Sequence, residues 1–166
     1  MPKRLLERRR RDSIEEFRAA ARERLVDGEL LAESGRATAA IYLWGYAAEM
    51  SLKACYFECI KFDPRAEISP AHRYDAKARA EILGVPWPGR TNYHDLTNWA
   101  ELLIAERDYR LSPFPMVSKT ALLRASKRMR LLWAETLRYS SNKAYDYEVQ
   151  QAKALVRQIT VICSKR

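Results

Sequence analysis

The sequence predicts an all-α protein, an up-and-down bundle of about five or six helices. Three observations carry that reading. Apolar residues recur at spacings of three and four through most of the chain, the period of a helix with one buried face. No stretch alternates apolar and polar residues as a half-buried strand does. The turn-forming runs, among them Asp63-Pro64, Ser69-Pro70, GVPWPGRTN at 84–92 and SPFP at 112–115, fall between the periodic stretches rather than inside them.

The elements follow in order. Ser13 and Glu16 form a capping-box pattern, and Ile14, Phe17, Ala21 and Leu25 recur behind it, which predicts a first helix over 13–33. Gly28 is a weak point within it and Gly35 its stop. A second helix is predicted over 37–61, with Ile41, Gly45, Ala48, Leu52, Cys55 and Cys59 on one stripe. Gly45 and Ala48 are small enough to admit a neighbouring helix at close range, and Asp63-Pro64 closes the segment. Ser69-Pro70 opens a short helix over 71–83. After the loop at 84–92, Asn92 and Asp95 are placed to cap a fourth helix over 94–109, whose apolar side is Leu96, Trp99, Leu103 and Ile104. The fifth is predicted over 117–138, with Val117, Ala121, Ala125, Met129, Leu132 and Trp133 facing inward. The Ser-Ser-Asn turn at 140–142 precedes a last helix over 145–163, striped by Val149, Ala152, Val156, Ile159 and Cys163. Residues 1–12 read as a basic N-terminal arm and 13–166 as a single domain without internal repeat.

Composition narrows the class and leaves the function open. A chain of 166 residues buries a real core without staples, and its 48% hydrophobic and 31% charged residues suit an ordinary globular domain. Three cysteines argue against a secreted disulfide scaffold. The longest nearly uncharged run, 37–49, falls short of the roughly 20 apolar residues of a spanning helix. The basic N-terminus is not followed by the apolar core of a secretory signal. The expectation is a reduced, cytoplasmic protein with no membrane association. Its net charge of +9 favours phosphate or acidic partners without specifying one.

Three segments, in order, carry a resemblance. The first is GRATAAIYLWGYAAEMSLKACYF at 35–57, with its Gly-Tyr-Ala-x-Glu-x-x-Leu-Lys core from Gly45 to Lys53. The second is His94-Asp95-Leu96 opening a helix after a Pro/Gly loop. The third is Leu137-Arg138-Tyr139, followed by a turn and a closing helix rich in Ala and Val. Together they resemble the HEPN family (higher eukaryotes and prokaryotes nucleotide-binding domain) over roughly 13–163. The resemblance implies a helical bundle that homodimerises, often in a bacterial toxin–antitoxin or defence system beside a small nucleotidyltransferase partner. Active members are metal-independent ribonucleases with Arg, four to six residues, then His, two copies meeting at a dimer interface. The Arg holds the scissile phosphate and the His moves the proton.

Arg138 matches the family's Arg, but Lys143, Ala144 and Tyr145 stand where the His belongs. Tyr145 fills the nearest slot, and a phenol, with a reference pKa of about 10, is a poor general base near neutrality. The departure implies a non-catalytic or weakly active module that binds a nucleotide, RNA or a partner protein. The alternative is a ribonuclease toxin using a displaced His94 or Tyr145.

Each candidate also has a structural reading. Arg138 is either a phosphate contact or a helix-terminal cation complementing the backbone dipole. Tyr145 is either a proton donor or an interface tyrosine. His94 is a second candidate for proton chemistry, or a ring that hydrogen-bonds the helix start. Tyr42, Tyr46, Glu49 and Lys53 form a polar stripe on the second helix, spaced to line a cleft that meets Arg138 or to make a semi-buried network. Arg65 and His72 repeat the Arg, six residues, His spacing in a loop, as chance readily supplies in so arginine-rich a chain. Cys55 and Cys59 lie one turn apart, but no second pair completes a zinc site, so no metal or cofactor is expected. Residues 117–143 carry seven cations against Glu135 alone, a net +6, with Arg124, Lys127 and Arg138 on one predicted stripe. That stripe suits phosphate tracking, or a solvated face. A homodimer is expected also from the four tryptophans and nine tyrosines, more aromatic surface than one small core must hide.

Overall fold

The computed structural model describes residues 11–89, 93–141 and 143–164, and these form six α-helices and no strand. They are α1 (Ile14–Glu33), α2 (Ala37–Cys59), α3 (Pro70–Ile82), α4 (Leu96–Tyr109), α5 (Met116–Leu132) and α6 (Asp146–Ser164), with a 3-10 turn at Glu135–Tyr139 between the last two. The first ten residues of the basic arm, Asn92 and Asn142 lie outside the described residues.

Helix α2 is the centre of the bundle. It packs against α1, α4, α6 and the 3-10 turn, while α5 closes the far side on α4 and α6 and α3 rests on α4. Its sequence explains the position. Besides the small and apolar stripe, Trp44, Ala47, Ala54, Tyr56 and Phe57 are buried on other faces, so no solvent side of ordinary width remains. An aromatic cluster of Tyr56, Phe57, Trp87 and Trp99 ties α2 to α4 and to the loop before it, with ring centroids 5.3 to 6.2 Å apart.

The helix starts are set by short-range chemistry. Ser13 Oγ accepts from Glu16 N at 3.1 Å and caps α1. Asp95 caps α4, accepting from Thr97 N and Asn98 N at 2.8 and 3.2 Å. His72 caps α3, its Nδ1 accepting from Ser69 N at 3.0 Å. Glu106, fully buried on α4, accepts from Arg79 Nε of α3 at 2.7 Å and from Arg110 Nε at 2.6 Å, which fastens α3 to the bundle.

Two expectations about α5 need correction. The helix stops at Leu132, because Trp133 turns to extended backbone at φ −135° and ψ 134°. Val117, expected inward, is 82% exposed, and Leu122 takes its place in the core with Ala125 and Met129. The cause of the stop is tertiary. The Trp133 indole lies flat on Gly45 of α2, and its Nε1 donates to the Tyr42 carbonyl at 3.0 Å. The close approach foreseen at Gly45 is thus made by a ring and not by a helix. Gly28 has the same function on α1, where Trp44 of α2 packs on it and donates to the Leu25 carbonyl at 3.3 Å.

A Cβ at position 45 would overlap the Trp133 ring. Gly→Ala in an unobstructed helix stabilises by about 0.5–1 kcal/mol, whereas overpacking costs about 1–3 kcal/mol. Gly45→Ala is therefore expected to lower the urea midpoint, and a raised midpoint would show that the indole does not sit there.

Candidate functional site

The polar stripe of α2 becomes a buried network where the chain folds back on it. Glu49 and Lys53 are 3% and 5% exposed and pair with each other along the helix. Lys53 Nζ also lies 5.4 Å from the Trp99 ring centroid. His94, just ahead of the α4 cap, is bracketed by carboxylates: Nδ1 is 3.0 Å from Glu49 Oε2, and Nε2 is 3.0 Å from Glu135 Oε2 of the 3-10 turn. Only a ring carrying both N–H groups donates to both at once. Burial alone would push the Glu49 carboxyl up, but the Lys53 ammonium and the His94 bond outweigh it and hold the carboxyl below its usual range.

Above this network sit Tyr46 and Tyr42. Tyr46 packs edge-on to Trp133 and His94, with centroids 5.3 and 6.4 Å away, and its hydroxyl is 3.4 Å from that of Tyr42. Burial, then the Tyr42 hydroxyl and the Glu49 charge, push the Tyr46 phenol far above its ordinary value, so it holds its proton.

Arg138 lies at the exposed end of the row, near Tyr42, with its guanidinium 4.7 Å from the Tyr139 ring centroid. It opens onto a groove of about 940 Å³ between the end of α1, the start of α2, the 3-10 turn and the start of α6. The cations Arg36, Lys143 and Lys153 and the carboxylates Glu29, Glu33 and Asp146 also line it. Thr38 Oγ1 accepts from Ala144 N at 2.9 Å, which holds the segment before α6 against the first turn of α2. Lys153 lies 3.7 Å from Glu29, but among the described residues no carboxylate pairs with Arg36, Arg138 or Lys143.

The structure therefore brings together Tyr42, Tyr46, Glu49, Lys53, His94 and Arg138, drawn from α2, the loop before α4 and the 3-10 turn. It leaves the other candidates elsewhere. Arg124 and Lys127 line a different groove, between α4 and α5, and Arg138 does not share their stripe because α5 has already ended. The +6 segment is also less free than its count. Lys127 pairs with Glu101 at 3.5 Å, Lys119 with Asp108, and Arg130 with the capping Asp95 at 2.9 Å. Tyr145 precedes α6, exposed and stacked on Tyr147. Arg65 turns to Glu15 at 3.1 Å while His72 caps α3, so that pair forms no site. Cys55 and Cys163 are free thiols buried in the core, and the neighbouring Cys55 thiol together with burial raises the Cys163 thiol. Among the described residues no three His, Cys, Asp or Glu converge to hold a metal.

Sequence reasoning missed Glu135 as a partner of His94, Trp133 as the group that positions the turn, and Arg36 as a groove cation. Only Arg36 had a local signal, its position next to the Gly35 helix stop. The chain matches no family model, no curated protein and no solved structure.

The buried carboxylates give a pH dependence with a definite sign. Glu49 and Glu106 are both held low in the folded state, Glu106 because the bonds from Arg79 and Arg110 outweigh its burial. The unfolded chain, with glutamates near about 4.3, then binds more protons as pH falls. Stability contributed by these pairs is complete above that value and is lost below it. The urea midpoint is expected to hold between about pH 6 and 5 and to fall below about 4.3, with a shallower fall in Glu106→Gln. Equal slopes in the two proteins would contradict this assignment.

Proposed function

We propose that this chain is a non-catalytic, HEPN-like module that binds RNA or a nucleotide through the Arg138 groove, as part of a bacterial toxin–antitoxin or defence system. One observation carries the reading: among the described residues, Arg36, Arg138 and Lys143 gather around one groove without a carboxylate within ion-pair distance, while Lys119, Lys127 and Arg130 of α5 are each paired. A guanidinium without a carboxylate partner offers a phosphate two parallel hydrogen bonds. The absence of catalysis rests on His94. A general base must exchange its proton with substrate, and both His94 nitrogens face carboxylates instead.

A second reading, a metal-independent ribonuclease, draws on the same histidine. A buried carboxylate on Nδ1 is how an oriented imidazole is commonly held, and Glu135, 44% exposed, would have to leave Nε2 for a substrate to reach it. The homodimer and the nucleotidyltransferase partner rest on the resemblance. The four tryptophans lend a dimer nothing, because Trp44, Trp87, Trp99 and Trp133 are all buried within one chain.

The test is binding of labelled RNA in chelator across a salt series, with the RNA ends analysed afterwards. Arg138→Ala is expected to weaken binding and to lower the slope of log affinity against log salt by about 0.7, one phosphate contact on a single strand. Arg124→Ala with Lys127→Ala is expected to leave that slope unchanged. Intact RNA supports the binding module. Ends carrying 2′,3′-cyclic phosphate that vanish in His94→Ala would establish the ribonuclease.

A further inference from the structure

Resting on that reading, we infer that the three tyrosines Tyr139, Tyr145 and Tyr147 form a stacking platform for the unpaired bases of a single-stranded nucleic acid. Tyr139, Tyr145 and Tyr147 are 76%, 67% and 66% exposed, large rings left in water at one end of the bundle. Leaving them there forgoes burial that the core takes up from every tryptophan. Their arrangement is ordered. The Tyr145 and Tyr147 rings are near parallel, 11° apart with centroids 5.7 Å from each other, so together they present flat faces that a base can continue. The Arg138 guanidinium already lies over the Tyr139 ring at 4.7 Å, the geometry in which arginine and an aromatic ring share a stack.

Cations stand beside the rings. Arg138 precedes Tyr139 and Lys143 lies two residues before Tyr145, and with Arg36 they line the adjoining groove, whose other charged residues are Lys153, Glu29, Glu33 and Asp146. Flat rings beside a track of cations are what a single strand needs, since its phosphates follow the charges and its bases turn to the rings. A duplex offers the same phosphates but keeps its base faces stacked inside. An acidic peptide would use the cations and leave the parallel ring pair without a function.

The experiment is fluorescence anisotropy of the full chain at 50 mM salt with three labelled probes: ten uridines of RNA, ten thymidines of DNA, and a hairpin duplex of similar charge. The single strands are expected to bind at least about tenfold more tightly than the hairpin. Tyr145→Ala with Tyr147→Ala is expected to weaken single-strand binding about tenfold or more, and Tyr145→Phe with Tyr147→Phe to stay within about twofold, because the ring is kept. Both side chains are exposed, so equal thermal melts of the variants are expected to exclude a folding effect. The ratio of RNA to DNA affinity identifies which single strand the platform prefers, and preference for either supports it. Equal binding of the hairpin, wild-type affinity in the alanine variant, or equal losses in the alanine and phenylalanine variants would overturn the platform. If Arg138→Ala still weakens binding in those cases, the Arg138 groove stands and only the platform falls; no binding of any probe overturns both.

Discussion

The Trp133 indole on Gly45 is the contact on which the rest of this arrangement depends. An α5 that continued through residue 138, as its periodicity suggests, would carry Arg138 along the outer face with Arg124 and Lys127. Instead the chain leaves the helix at Leu132, lays the indole on the one α2 position without a side chain, and bonds the Tyr42 carbonyl. The 3-10 turn that follows is thereby held along the polar stripe of α2. Glu135 meets His94 and Arg138 comes to Tyr42 as consequences of that single docking.

The buried network beneath has a different energetic character from the ion pairs on the surface. Exposed pairs such as Arg65–Glu15 contribute about 0–1 kcal/mol. Glu49 and Lys53 have surrendered nearly all their hydration, and neither is tolerable there without the other. Losing one partner of such a pair costs about 3–5 kcal/mol, because the survivor is a bare charge in the core. The network therefore acts less as a source of net stability than as a registry device. It accepts His94 in one orientation, and through His94 it accepts the 3-10 turn in one position. The two tyrosines extend that order outward to Arg138.

Much of the fold was legible because it is local chemistry. The Ser13 cap, the Asp95 cap and the apolar stripes of α2, α4 and α6 all depend on residues within four of each other, and they appear where the spacing predicts them. The grouping of Tyr42, Tyr46, Glu49 and Lys53 was legible for the same reason. The end of α5 was not. Leu132, Trp133 and Leu137 continue an acceptable period with no Gly or Pro among them, and the residue that stops the helix is answered by a glycine far away in sequence. The basic segment misled in the same way. Its cations can be counted from sequence, but the partners that neutralise Lys119, Lys127 and Arg130 stand on α4 or at its cap. Arg138 was a candidate only through the resemblance, and its setting with Arg36 and Lys143 required the fold.

The most direct measurement is photocrosslinking of a 5-bromouridine RNA decamer to the protein, with the crosslinked residues located by peptide mass spectrometry. The account predicts adducts on Tyr139, Tyr145 or Tyr147, beside Arg138. Adducts confined to α5 around Arg124 and Lys127 would contradict it and return the binding surface to the outer face of that helix.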